Sequence, residues 1–248
     1  MIECIIRPME PGDLPSLLGI WNACVQAGET LLFPLNEGSF QRTFVQNPGC
    51  EPQNLLVAAR EGQVIGFAHG VAPLTFRGSR PGDAYLTQLM VDPAHRRQGV
   101  GRRLLRALAN QMRGRGASRL LISSLNPVNL SWRIPGSPGH DHNNMPGADA
   151  ECPGYGFLTE CGFSALYREV ALYINLADYQ PPADLDGLRA RLQGEGIYTG
   201  PYDAAWDCGF DALCDHVGSE YWRDVLRTEI TAWKAGQPNA DARFWADG

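Results

Sequence analysis

Residues Leu86 to Arg102 constrain this chain more than any other stretch: LTQLMVDPAHRRQGVGR. An apolar strand, Ala84 to Val91, stops at Asp92-Pro93. A short basic turn follows, and then a helix opens on Gly99-Val100-Gly101. A strand that feeds a glycine-rich turn and a helix start forms a phosphate cradle. Its successive backbone N–H groups point at one spot, and the helix N-terminus adds its positive end. Glycine is required because a side chain would hold the anion away from the backbone.

Around that feature, 248 residues provide one large domain, or one domain and a smaller region. The net charge of −6 argues against nucleic acid or an anionic membrane as the general partner. Even so, eight of the twenty arginines lie between Arg96 and Arg119. A local basic patch on an acidic protein suits a small polyanionic ligand. The seven cysteines are odd in number and show no paired framework, which predicts free thiols in a reducing, cytoplasmic setting. The sequence has no apolar run of signal-peptide or membrane-span length.

Hydrophobic spacing sets the element order. Ile2 to Arg7 reads as a strand ended by Pro8, and Asp13 as the cap of a helix over Leu14 to Cys24. A second helix is predicted over Ser39 to Gln46. Asn54 to Ala59 and Val64 to Val71 form a hairpin about Arg60-Glu61-Gly62. Val100, Leu104, Leu105, Leu108 and Met112 make the core-facing stripe of a helix. Arg119 to Ser124 reads as a buried strand, and Asn126 to Pro153 as a long functional loop. A short helix, Tyr155 to Cys161, leads into a strand pair over Ser164 to Leu176. The fold class is α/β: a mixed sheet with helices on both faces, plus a smaller C-terminal α/β region.

This order and two motifs resemble the GCN5-related N-acetyltransferase (GNAT) superfamily. Arg96-Arg97-Gln98-Gly99-Val100-Gly101 is similar to that family's Arg/Gln-x-x-Gly-x-Gly/Ala acyl-CoA pyrophosphate loop. Phe157-Leu158-Thr159-Glu160-Cys161-Gly162-Phe163 resembles its late helix ending in Gly-Phe. The resemblance covers residues 1–178 and implies a mostly antiparallel sheet and acetyl-CoA as cosubstrate, with no metal. It also implies that the amides from Arg97 to Arg102, with the side chains of Arg96, Arg97 and Arg102, hold the pyrophosphate. Leu89, Met90 and Val91 would pair with the pantetheine arm as an extra strand, in an opening beside Arg119 to Ser124. A backbone N–H there would stabilise the oxyanion.

Two family features are missing. The tyrosine that often serves as general acid is replaced by Leu158, which leaves Tyr155, nearly one helical turn earlier, as a substitute. The glutamate often found on the strand Ala84 to Val91 is replaced by Thr87 and Gln88. His69 is a candidate cleft base or a histidine satisfied by a backbone partner, and Glu29, Asp83 and Tyr85 are further candidates. Arg106, Arg113, Arg115 and Arg119 read as a solvated face. His140-Asp141-His142, and Cys208 with Cys214 and His216, have loosely metal-like spacing but lack a complete ligand set. Cys161 reads as a core thiol.

The expected activity is therefore acyl transfer, acetyl foremost, to a primary amine of a small molecule or peptide by direct attack, from a monomer or homodimer. The alternative is a non-catalytic acyl-CoA-binding or regulatory module of the same fold. The expected organisation is a catalytic domain at 1–178, a linker at 179–191 marked by Pro181-Pro182, and a C-terminal region at 192–248. In that last region Ile197 to Tyr202, Phe210 to Val217, Ser219 to Leu226 and Ala242 to Gly248 echo the opening elements of the first domain. It is either a partial second half-domain or a helical extension. Its Trp222, Trp233, Phe244 and Trp245 need burial against the first domain or a second copy of the chain.

Overall fold

The structure is a computed structural model of the chain. It describes residues 4–72, 80–123, 128, 130–134, 141–142, 147–168, 170, 174, 177–199, 209–216, 223–224, 226–228, 230–231 and 235. The chain divides into two compact units, Met1–Ala171 and Leu172–Gly248.

The first unit is built on a five-stranded sheet in the order β1 to β5. Strand β1 (Ile5–Pro8) lies antiparallel to β2 (Leu55–Arg60), β2 to β3 (Gln63–Val71) and β3 to β4 (Asp83–Val91). Strand β5 (Arg119–Leu121) joins β4 in parallel. The mixed, mostly antiparallel sheet is thus as expected. The β2–β3 hairpin closes on Glu61 and Gly62, both at positive φ, the two-residue geometry whose twist matches that of the strands.

Helix α1 (Leu14–Gln26) and the short α2 (Glu37–Phe40), which runs on into a π turn over Gln41–Val45, cover one face of the sheet. There Trp21 stacks on Phe67 with ring centroids 6.3 Å apart, and Phe44 meets Trp21 edge-on. Helix α3 (Val100–Gly114) covers the other face. Its stripe of Val100, Leu104, Leu105, Leu108 and Met112 is buried, as the spacing predicts. The contact is close at Gly70, where a Cβ would stand 3.0 Å from Leu108 Cδ1 and from the Tyr85 carbonyl.

Several elements differ from the sequence reading. The Asp13 side chain does not cap α1. It accepts the Glu10 N–H at 2.8 Å and two bonds from the Arg7 guanidinium, because a 3-10 turn at Pro11–Asp13 already leads into the helix. Strand β5 is not buried: Arg119 is exposed and both leucines are half-buried, and among the described residues only one side of it is paired. None of the described residues among 164–176 is in a strand, and Leu166, Tyr167, Val170 and Ile174 are exposed. Conversely, the long loop contains a small hairpin, β6 (Trp132–Arg133) with β7 (Asp141–His142). Val128, Trp132 and Ile134 anchor it in the α1 face of the core. Trp132 also bridges to Leu32, and the Arg133 N–H donates to the Leu31 carbonyl at 2.7 Å. Helix α4 (Pro153–Glu160) completes the unit, its Phe157 and Leu158 packing on the α3 face.

In the second unit the described residues form α5 (Leu185–Gly194), which begins inside the stretch 179–191 read as a linker and runs past its end, and α6 (Phe210–His216), which buries Cys214. Cys208, His140, Trp222, Trp233, Phe244 and Trp245 lie outside the described residues, as do residues 200–202, 217–222 and 242–248. The half-domain echo thus falls mostly outside them. No described helix is long and apolar enough to cross a membrane.

Candidate functional site

The site begins where β4 loses its neighbour. Strand β5 pairs with β4 only along Asp83, Ala84 and Tyr85. Beyond them β4 continues to Val91 with, among the described residues, only β3 beside it. The Asp92 N–H donates to the Ile65 carbonyl at 3.0 Å. The alternation of an antiparallel ladder then turns Met90 toward β3 and leaves the main chain of Leu89 and Val91 on the open edge. The Met90 side chain is buried on the α1 face. Of the three residues expected to meet a pantetheine arm, Leu89 and Val91 therefore face outward and Met90 faces inward.

That edge runs into the cradle. Asp92 accepts the Ala94 N–H and starts a single turn, Pro93–His95. Arg97 (φ 58) and Gly99 (φ 85) both have left-handed backbone. For arginine that conformation is strained, by about 1 kcal/mol, and such strain collects at ligand clamps. Helix α3 starts at Val100, so the first-turn amides of Val100, Gly101 and Arg102 have no intrahelical partner. Among the described residues, a Cβ at Gly99 would meet nothing within 4 Å.

The two glycines have different jobs. A Cβ at Gly101 would stand 3.3 Å from Phe157 Cζ and 3.6 Å from Val91 Cγ2. Gly101 therefore makes room for α4, and a larger residue there would meet Phe157. Arg102, on α3, stays at the surface, 3.7 Å from Glu160 of α4. Gln98 donates to the Ala94 carbonyl at 3.1 Å, while its own Oε1 is buried with no partner among the described residues.

Arg96 is a correction. Its side chain does not extend into the cradle. Nε donates to the Val91 carbonyl at 3.0 Å, both terminal nitrogens bond the Glu29 carboxylate, and one also lies 3.3 Å from Cys24 Sγ. The hydrogen bond from Arg96 holds Glu29 below the usual glutamate range, so Glu29 is ionised and engaged and does not offer a base. The Cys24 thiol is pushed up by burial and stays protonated. Asp83 is likewise engaged, buried and 2.6 Å from the Arg119 guanidinium. Arg115 donates to Glu51 and Asn54, so Arg115 and Arg119, read as solvated, fasten the end of α3 to the turn before β2 and β5 to β4.

His69 sits in the core, 1% exposed, with its ring edge-on to Phe44 at 5.1 Å. Burial pushes its pKa down to about 3, so the ring is neutral. Nδ1 lies 2.6 Å from Thr87 Oγ1, which is 3.2 Å from the His69 carbonyl. The ring is enclosed among the described residues and its partner is a side-chain hydroxyl, neither the backbone partner nor the open cleft that were the two expectations. Tyr85 is buried too, and burial pushes its phenol up. Tyr155 is half-buried on α4, the helix whose Phe157 touches Gly101. Leu158 packs in the core. The contribution of Thr87 and the inward turn of Arg96 had no motif to announce them. Among the described residues, no three His, Cys, Asp or Glu side chains converge on a metal site. His216 Nδ1 lies 2.6 Å from the Ala212 carbonyl of its own helix.

With this geometry, residues 23–131 match the family model described as the Acetyltransferase (GNAT) family. That match places residues 23–131, within the first unit, in the GNAT superfamily. It is similar to the solved ribosomal-protein-alanine N-acetyltransferase of Brucella melitensis, with 31% identity over 47% of this chain and 72% of that one, at a TM-score of 0.39. It is also similar to Ard1 of Thermoplasma volcanium (18% identity, 66% and 84% covered, TM-score 0.43). A third likeness is to N-acetylglutamate synthase of Neisseria gonorrhoeae, solved with coenzyme A and N-acetyl-glutamate (20% identity, 50% covered, TM-score 0.39). The match spans about a quarter, 26%, of that enzyme's length. No curated protein matches the chain.

Proposed function

We propose that the chain transfers an acyl group, acetyl foremost, from acyl-CoA to a primary amine of a small molecule or peptide by direct attack. The observation that carries this reading is the edge of β4 at Leu89 and Val91, unpaired among the described residues, which leads straight into a glycine turn whose first-turn amides have no intrahelical partner. In this reading the amides from Gly99 to Arg102 hold the pyrophosphate, and the backbone of Arg97 and Gln98 shapes the turn. Leu89 and Val91 pair with the pantetheine arm, and one of their amides receives the oxyanion as the amine attacks the thioester carbon. The C–N bond forms, the C–S bond breaks and the amine loses a proton. The leaving thiol has an ordinary pKa of about 8.5, so it departs as thiolate with modest help. Tyr155 on α4 is the residue for that help.

Glu29 and Asp83 are already ion-paired and His69 is enclosed, so the amine proton leaves through water rather than to any of these three. That same engagement favours a second reading, an acyl-CoA-binding module without turnover. Thiol release from acetyl-CoA over a panel of amines separates the two. Amine-dependent thiol release supports the transferase. Tight CoA binding with no amine-dependent release supports the binding module, and absence of CoA binding overturns both. The proposed acceptor is not nucleic acid, the setting is cytoplasmic, and the assembly is a monomer or homodimer.

A further inference from the structure

One buried polar pair is not accounted for by the cradle or by the expected chemistry. His69 lies opposite Gln88 in the β3–β4 ladder, but the next residue, Gly70, lies opposite Leu86. Thr87 is therefore an extra residue, a bulge in β4. It falls just past Tyr85, the last residue of β4 that pairs with β5.

The bulge decides which amides reach the open edge. Before it, Ala84 and Leu86 pack toward α3; after it, Leu89 and Val91 do. The parity of the strand has changed, as it must when one residue is inserted into a structure of period 2. Without the insertion, Met90 would take the outward position, and Leu89 and Val91 would turn into the ladder.

A bulge leaves the ladder locally unpaired. Here the His69 side chain fills the gap. With the hydrogen on Nδ1, the ring donates to Thr87 Oγ1, and the Thr87 hydroxyl donates to the His69 carbonyl. The ring is enclosed by the α1-side core and set edge-on to Phe44. A polar ring in that place costs desolvation unless its bond is made, so the pair fixes the bulge at Thr87 and at no neighbouring residue.

We propose that His69 and Thr87 are positioning residues, a clasp that sets the β4 bulge and so presents the Leu89 and Val91 amides to the pantetheine arm of an acyl-CoA. This rests on the acyl-CoA reading above. The clasp touches neither the cradle nor the reacting atoms.

The test compares CoA with ADP, which has the pyrophosphate but no pantetheine arm, by calorimetry on the whole chain. Thr87→Val should weaken CoA at least about tenfold and leave ADP within about twofold, while Thr87→Ser, which keeps the hydroxyl, stays near wild type. His69→Leu should behave like Thr87→Val, and His69→Asn should recover part of the loss. Equal losses for CoA and ADP, or a Thr87→Ser variant as weak as Thr87→Val, overturn the clasp. A second readout needs no ligand. In Thr87→Val, hydrogen exchange at the Gln88 and Met90 amides should rise at least about tenfold while the α3 amides stay protected. Unchanged exchange overturns the clasp even if CoA binds. A wild-type chain that binds neither CoA nor ADP defeats the acyl-CoA reading, while the exchange result still decides whether the pair holds the bulge.

Discussion

Arg96 and Glu29 show how a motif residue can be recruited for structure. The arginine that opens the cradle motif fastens the end of β4 to the loop after α1, through Val91, Glu29 and Cys24. Both partners are partly buried, so the pair is worth more than a surface ion pair, about 1–2 kcal/mol. The sign with pH follows from the direction of the Glu29 shift. Its folded value lies below the ordinary 4.5. The stabilisation is therefore full above that value and is lost as pH falls through the lower folded one. Glu29→Gln should lower stability by about 1 kcal/mol at pH 7, with the gap from wild type narrowing below pH 4.5. Denaturant titrations across that range check it, and a gap that stays constant contradicts it. Nothing near Glu29 in the sequence announces this partner 67 residues away. Gly101 and Gly99 were equally visible in the sequence, but their difference was not, since Phe157 reaches Gly101 only through the packing of α4. Gly101→Val should therefore perturb α4 packing and stability, read as a lower melting temperature.

Elements with a strong period were legible, and elements defined by their neighbours were not. The α3 stripe, the Glu61-Gly62 hairpin and the run of β4 follow from spacing and turn chemistry, because each buries a face or needs a special backbone angle. Strand β5 has three residues and one partner, and β6 and β7 have two residues each, too short for any period to show. Trp132 was the available signal there, a large aromatic in a Pro- and Gly-rich stretch that had to be buried somewhere. The hairpin turn gives a clean prediction. Glu61 has φ 52, which asparagine adopts more readily, and its contact with Arg60 is exposed and long at 3.7 Å. Glu61→Asn should stabilise by about 0.5 kcal/mol, and a fall in melting temperature would contradict the turn assignment. In the sheet, Gly70→Ala should cost about 1–3 kcal/mol, because the methyl group would press on Leu108 and on the Tyr85 carbonyl.

Across the whole molecule, every element of the candidate cofactor site lies in the first unit: β4, the Arg97–Gly99 turn, α3 and α4. A chain ended at Asp178 should therefore bind CoA within about threefold of the full chain, whatever it loses in turnover. A loss beyond tenfold would give residues 179–248 a share in the cofactor site. The acidic net charge beside a locally basic turn fits a small anion held by oriented amides, which depends less on salt than a broad arginine surface does. The most direct measurement is calorimetric titration of CoA into wild type and into a folded Gly99→Val variant. At Gly99 the backbone is left-handed and a Cβ would meet nothing within 4 Å among the described residues, so the new side chain strains the turn beside the proposed pyrophosphate site. Gly99→Val should lose at least tenfold in affinity, about 1.4 kcal/mol, with the secondary structure intact. Equal CoA affinity in the two proteins would contradict it.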